Sequence, residues 1–113
     1  MSVSDSFREF ALEQLGRVSR VTARRMFGGV GIYAGGLFFA VMDNNRLYFK
    51  VDDSNRPDFE AAGMGPFRPF GADGAAMQYY EVPPDLLEDL DTLGHWVAKA
   101  VAVAKNKRAR KKK

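Results

Sequence analysis

Four arginines beside a glycine-rich stretch form the densest group of chemically capable side chains in the body of the chain. Arg17, Arg20, Arg24 and Arg25 fall within nine residues, and guanidinium groups bind carboxylates and phosphates through paired N–H donors. Arg24 and Arg25 are therefore candidates for binding an anion or an acidic partner protein. Neighbours on a strand point to opposite faces, which disfavours one shared patch. The alternative is salt bridges to residues 81–91, which carry five carboxylates.

The glycines that follow these arginines match a loose dinucleotide-binding pattern. Gly29-x-Gly31-x-x-Ala34 has the spacing, and Asp52 and Asp53 lie about 20 residues further on. That chemistry requires a helix to begin at the glycines and to direct its N-terminus at the pyrophosphate. The residues that follow suit a strand and a turn instead. We therefore expect the glycines to permit a bend or bulge between adjacent strands.

The remaining polar groups give little support to catalysis. His95 is the only histidine, and helical spacing places it on the solvent side of its helix. The acidic pairs Asp52-Asp53 and Glu88-Asp89 have no accompanying His or Cys and fit helix caps and first turns. The chain contains no cysteine, which excludes disulfides, thiol nucleophiles and Cys-ligated metals. We expect a protein that is not an enzyme and has no cofactor or metal.

The net charge of +3 is distributed unevenly. Seven basic side chains fall in residues 105–113, so residues 1–104 carry a net charge of −4. Such a segment either binds phosphate backbones without base specificity, with affinity that falls as salt rises, or is a disordered, solubilising tail. The candidate nucleic-acid-binding residues are Lys105, Lys107, Arg108, Arg110, Lys111, Lys112 and Lys113.

Residues 26–42 carry no charge, and their length is just under the roughly 18–20 residues of a membrane-spanning helix. Five of them are glycines, which suit two short strands and a turn better than a helix. The N-terminus has no basic segment followed by an apolar run. We expect no membrane span, no secretory signal and a cytoplasmic protein.

Hydrophobic periodicity and turn residues predict an α+β domain over residues 1–104, followed by a basic disordered tail over residues 105–113. Its fold is a two-layer sandwich with an antiparallel sheet of five to six strands, a helix at each terminus and one short middle helix. A capping box that begins at Ser6 opens the first helix. The predicted helices cover 4–16, 54–62 and a long stretch from 83 to 104, and the predicted strands cover 20–27, 29–34, 36–43, 46–51 and 75–82.

Both faces of strand 36–43 are apolar, which is unusual for a sheet with one side in water. Strict alternation places Leu37, Phe39 and Val41 on one face and Phe38, Ala40 and Met42 on the other. If all helices cover the first face, then Phe38, Ala40 and Met42 form the candidate face of a two-fold homodimer. The alternative is a monomer in which the long helix crosses to the second face.

Residues 24–33, with the sequence RRMFGGVGIY, resemble the opening signature of the TfoX N-terminal domain family. Residues 47–52, 59–67, 77–83 and 93–96 are similar to the later blocks of that family, in the same order, so the resemblance covers roughly residues 5–104. It implies a two-layer, secretion-chaperone-like fold that is often dimeric and has no known catalytic residues.

The full-length competence regulator of this family has a second, helical domain, where this sequence has only residues 105–113. We therefore predict a non-enzymatic regulatory or protein-interaction module, accessory to transcription or competence regulation, that forms a homodimer and binds an unidentified protein partner. The alternative prediction is a nonspecific nucleic-acid-binding protein that acts through its basic C-terminal residues. A small-molecule enzyme ranks third.

Overall fold

The structure, a computed structural model, describes residues 3–26, 29–68 and 78–111, with the backbone alone for Met26 and for residues 108–111. It confirms the predicted α+β class. In chain order the elements are α1 (Asp5–Val18), β1 (Val21–Met26), β2 (Gly29–Ala34), β3 (Leu37–Asp43), β4 (Arg46–Lys50), α2 (Arg56–Ala61), β5 (Tyr79–Glu81), a 3₁₀ helix (Pro84–Glu88) and α3 (Leu90–Lys111).

Helix α1 is capped two residues earlier than the sequence predicted. The N–H of Phe7 donates to the Ser4 hydroxyl at 3.2 Å, so Ser4 rather than Ser6 satisfies the free donors of the first turn. The Ser4 N–H in turn donates to the side-chain oxygen of Asn45 at 2.8 Å. This contact ties the start of α1 to the β3–β4 turn, which explains why the earlier serine is the cap.

The described strands form one five-stranded antiparallel sheet in sequence order, so each strand pairs with its chain neighbours. The turn between β3 and β4 is made by Asn44 and Asn45, with φ of 53° and 56°. Gly35 and Gly36 occupy the same left-handed region between β2 and β3. Asn and Gly suit both turns because they tolerate the positive φ that tight hairpins require.

A β-bulge in β3 changes which residues share a face. Ile32 pairs with Ala40 and Tyr33 with Phe38, so Phe39 is an extra residue without an opposite partner. Beyond Phe39, the alternation of side chains between the two faces is shifted by one residue. Ala40 and Met42 are therefore fully buried beneath the helices. The prediction that they share a dimer face with Phe38 is therefore wrong, because Phe38 alone lies on the other side.

All three α-helices and the 3₁₀ helix pack on one face of the sheet, here called the helical face. Helix α3 contacts α1, β3 and β4 and does not cross to the second face. The residues that form this core are Ala11, Leu15, Val30, Ile32, Ala34, Phe39, Ala40, Met42, Leu47, Phe49, Val51, Phe59, Val82, Leu86, Leu87, Leu93, Val97, Ala100 and Ala104.

The long C-terminal helix differs from its prediction at both ends. Residues 84–88 form a separate 3₁₀ helix, and α3 begins at Leu90, where Asp89 accepts hydrogen bonds from the N–H and hydroxyl of Thr92. The helix continues to Lys111, so the backbone of residues 105–111 is helical where the sequence predicted disorder. Alanine, lysine and arginine are strong helix formers, which accounts for this extension. None of the described helices, α3 included, is both long and apolar enough to cross a bilayer.

Candidate functional site

The outer edge of β1 is the most accessible stretch of main chain in the described sheet. β1 pairs with β2 along one side, and no described residue forms a backbone hydrogen bond to its other side. Four consecutive residues, Thr22, Ala23, Arg24 and Arg25, are exposed. An edge strand of this kind presents N–H and C=O groups that another polypeptide can pair with.

The ladder with β2 determines where the two candidate arginines lie. Arg24 is opposite Gly31, whose other neighbour Val41 belongs to the second face of the sheet. Arg25 is opposite Val30, which lies in the core under the helices. The guanidinium groups therefore flank the edge from opposite faces, as the sequence predicted for neighbours on a strand.

Neither arginine side chain makes a polar or ring contact with the described part of the fold. Within residues 3–26, 29–68 and 78–111, no hydrogen bond, ion pair or ring contact involves the side chain of Arg24 or Arg25. The alternative of salt bridges to residues 81–91 is not observed there, and Glu81 instead pairs with Arg46 at 3.5 Å. Among the described residues, neither guanidinium group thus has a partner, which makes both candidates for contact with a ligand or partner protein.

Gly29 belongs to β2 and does not open a helix. A Cβ at this position would overlap the carbonyl oxygen of Met42 on β3. Glycine is required because the two strands approach closely here. The strand interpretation of the glycine-rich segment is confirmed, and the helix N-terminus that dinucleotide binding needs is not formed by Gly29–Ala34.

The opposite edge of the sheet is occupied. Beside β5, the N–H of Phe67 donates to the Tyr79 carbonyl at 2.7 Å, and the N–H of Glu81 donates to the Gly65 carbonyl at 3.0 Å. Pro66 lies between these two contacts and forms an isolated antiparallel bridge with Tyr80. Residues 65–67 thus cover β5, whereas β1 has no corresponding cover among the described residues.

The second face of the sheet is lined by aromatic rings and is here called the aromatic face. It comprises Tyr33, Phe38, Val41, Tyr48 and Tyr79 from the strands, together with Phe67. Phe38 stacks on Tyr33 with ring centroids 5.1 Å apart, and Phe67 lies 4.5 Å from Tyr48. These contacts bury much of the face without a helix.

Burial changes the acidity of two tyrosines on the aromatic face, Tyr48 and Tyr79. Burial raises the pKa of Tyr79, and burial followed by the nearby Glu81 carboxylate raises the pKa of Tyr48. The Lys50 ammonium lies 5.4 Å from the Phe38 ring centroid and 5.5 Å from that of Tyr79, within cation–π range. Lys50 thus packs against the rings of this face, and both raised pKa values favour the neutral form of Tyr48 and Tyr79.

The basic C-terminal residues extend α3 beyond the core. Lys105 is exposed and Lys107 is half-buried, while Ala104 is the last residue of the helical-face core. The side chains of Arg108, Arg110 and Lys111 and the whole of Lys112 and Lys113 lie outside the described residues. Cations at this end complement the helix dipole, so they also stabilise the helix.

The remaining polar candidates are His95 and the acidic pairs Asp52-Asp53 and Glu88-Asp89. His95 is exposed on α3. Asp52 accepts hydrogen bonds from the N–H and hydroxyl of Ser54, and Asp89 caps α3. In the described ranges no three His, Cys, Asp or Glu side chains cluster in a way that could hold a metal ion.

The sequence predicted Arg24 and Arg25 as candidate binding residues but did not predict β1 as the uncovered edge. A signal was present, since the segment Thr22–Arg25 contains no large apolar residue, whereas β2, β3 and β4 each contain several. The bulge at Phe39 and the cover supplied by residues 65–67 had no comparable signal, because both depend on contacts between separate segments.

The comparison with known proteins is consistent with this fold. The family model described as the TfoX N-terminal domain matches residues 13–104, which include every described strand, the C-terminal part of α1 and most of α3. No curated protein matches the chain at the stringency applied.

Proposed function

The chain belongs to the TfoX N-terminal domain family, and from this premise we propose that it is a regulatory module of the competence-regulator type that acts by binding another protein. We propose further that it carries out no catalysis and works in the cytoplasm, accessory to transcription or competence regulation. Its binding surface is the outer edge of β1, where neither the main chain nor the two arginines have a partner among the described residues.

The observation that supports this proposal most directly is the combination found at β1. The strand is exposed over four consecutive residues, and neither Arg24 nor Arg25 has a described partner. Arginine forms geometrically specific, paired hydrogen bonds with carboxylates, which makes it well suited to protein interfaces. A main-chain edge flanked by two such groups is better suited to recognise a polypeptide than to transform a small molecule.

The test is site-specific photo-cross-linking in a nuclease-treated lysate of the source cells. A photoreactive residue replaces Ala23 on the exposed edge, and the matched control carries it at Ala98, an exposed alanine on α3. We expect a discrete cross-linked protein at position 23 only, and its loss when Arg24→Glu and Arg25→Glu are added. Equal products from both positions, or none from position 23, would contradict the proposal.

A second function, nonspecific nucleic-acid binding, is supported by the extension of α3 to Lys111. Five of the seven basic residues thereby lie on one continuous helix, which would present them together to a phosphate backbone.

Replacement of all seven basic residues by glutamine tests this function and preserves helix propensity. For DNA binding by the full chain, the affinity should fall with salt at a log–log slope of about −0.9 per phosphate contact, and the variant should lose this dependence. Equal binding and equal salt dependence in the variant would contradict it.

A further inference from the structure

The length and accessibility of β1 suit it to pairing with an added strand. Its six residues span about 20 Å. In an antiparallel ladder alternate residues direct their main-chain groups to opposite sides, so half of the β1 residues direct N–H and C=O groups away from β2. Thr22 and Ala23 are small and leave these groups accessible from outside.

The two arginines impose a pattern on any strand that pairs there. Directly opposed residues on adjacent strands have their Cβ atoms about 4.5–5.5 Å apart, within reach of a guanidinium–carboxylate contact. Arg24 and Arg25 are adjacent in sequence and lie on opposite faces. The two carboxylates that face them must therefore also be adjacent in the partner's sequence.

A second copy of the chain fits this edge poorly. If two copies paired through β1 about a two-fold axis perpendicular to the sheet, residues on the same face would lie opposite each other. Arg24 of one copy would then lie either directly opposite Arg24 of the other or diagonally next to it. Like charges at these positions destabilise strand pairing. The arginines thus discourage self-association of β1 while attracting a strand of opposite charge.

A nucleic acid also fits poorly. A phosphate backbone that follows one face of the sheet would meet only one of the two guanidinium groups, because Arg24 and Arg25 lie on opposite faces. An extended polypeptide alternates its side chains across both faces in the same way as β1. The geometry therefore favours a protein segment.

We infer that β1 binds an extended segment of a partner protein as a sixth strand, and that this segment carries two adjacent acidic residues opposite Arg24 and Arg25. The inference rests on the proposed function and specifies the chemistry of the partner. Main-chain hydrogen bonds supply the attachment, and the adjacent carboxylates determine the register.

The test uses labelled peptides, capped at both ends, with the full chain. The probe is Thr-Val-Glu-Glu-Val-Thr, and its control, Thr-Glu-Val-Glu-Val-Thr, has the same composition and charge but places both carboxylates on one face. Fluorescence anisotropy measures affinity, and amide hydrogen exchange of β1 reports strand addition. We expect roughly fivefold tighter binding of the probe, together with slower exchange of the β1 amides.

Charge exchange supplies a second arm. The double variant Arg24→Glu with Arg25→Glu should no longer bind the probe and should bind Thr-Val-Lys-Lys-Val-Thr instead. The matched control, Lys105→Glu with Lys107→Glu, alters the net charge equally but lies on α3 and should keep the original preference. Circular dichroism of each variant verifies folding.

Two peptide results would overturn the inference: equal binding of the two acidic peptides, or no saturable binding of the probe at millimolar concentration. It would also be overturned if an oligonucleotide of equal charge displaced the probe from Arg24 and Arg25. The same holds if self-association protected the β1 amides in a concentration-dependent way. If the cross-link at Ala23 persists while neither acidic peptide binds, the inference fails and the proposed function stands. If that cross-link is also absent, the proposed function fails with it.

Discussion

The two faces of the sheet reach a similar degree of burial in different ways. On β4, Phe49 is fully buried beneath the helices, and its neighbour Tyr48 is only 8% exposed on the aromatic face. A layer of helices covers the first, while rings pack against one another on the second, Phe38 against Tyr79 and Tyr48 against Phe67. The comparison shows that a sheet face can leave water without a second helical layer when its own aromatic side chains are large enough.

The two faces therefore differ in how completely other elements surround their side chains. A core residue on the helical face is surrounded by several elements, so its loss creates a cavity. A ring on the aromatic face has neighbours mainly to its sides, so its loss removes less buried area. This difference can be measured as the change in the free energy of unfolding when one ring at a time is truncated.

The largest effect is expected for Phe49→Ala. The Phe49 ring packs between Phe39 and Phe59, with centroid distances of 5.6 and 6.5 Å. Its removal should lower the free energy of unfolding by about 3–5 kcal/mol, measured by urea denaturation. A loss below about 1 kcal/mol would show that the helical face is not the main core.

A smaller loss, about 1–2 kcal/mol, is expected for Phe67→Ala, because this ring is only half-buried and contacts Tyr48 from one side. The same urea experiment applies, with Phe67→Leu as a control that keeps apolar bulk. A loss equal to that of Phe49→Ala would remove the distinction between the two faces.

Alkaline pH should weaken the aromatic face selectively. Burial raises the pKa of Tyr79 above its ordinary value of 10.0 in the folded protein. The stability due to neutral Tyr79 is complete below about pH 10 and is lost as the pH rises further, because the unfolded chain releases the proton first.

We expect Tyr79 to contribute a loss of at most about 1.4 kcal/mol per pH unit above pH 10, measured by urea denaturation across that range. The control is Tyr79→Phe, which should reduce the slope and leave the part that is due to Tyr48. A variant with the same slope as the unmodified chain would assign the effect to another group.

The homodimer predicted from the sequence is tested through Phe38, the member of the predicted dimer face that lies on the aromatic face and is half-buried. If copies associate through this face, light scattering gives about twice the chain mass of 12.6 kDa, and Phe38→Glu returns it to one chain. The substitution should change the free energy of unfolding of the separated chain by less than about 1 kcal/mol. A single-chain mass at high concentration would contradict the dimer.

Local patterns in the sequence account for much of the fold. The Asn44-Asn45 turn, the strands on either side of it and the short middle helix follow from residues close to one another in the chain. The order of these elements was enough for the α+β class, and the signature at residues 24–33 was enough for the family. The positions of Arg24 and Arg25 on opposite faces also follow from strand periodicity alone.

Tertiary structure decided the assignment of faces and edges. The bulge at Phe39 forms between two strands and reverses the parity of every later residue in β3, so periodicity within β3 alone could not place Ala40 and Met42. Likewise, residues 65–67 cover β5 through contacts between separate segments, whereas no described residue pairs with the outer edge of β1. The sequence thus determined which side chains could bind a partner, and the packing of strands determined where that partner can bind.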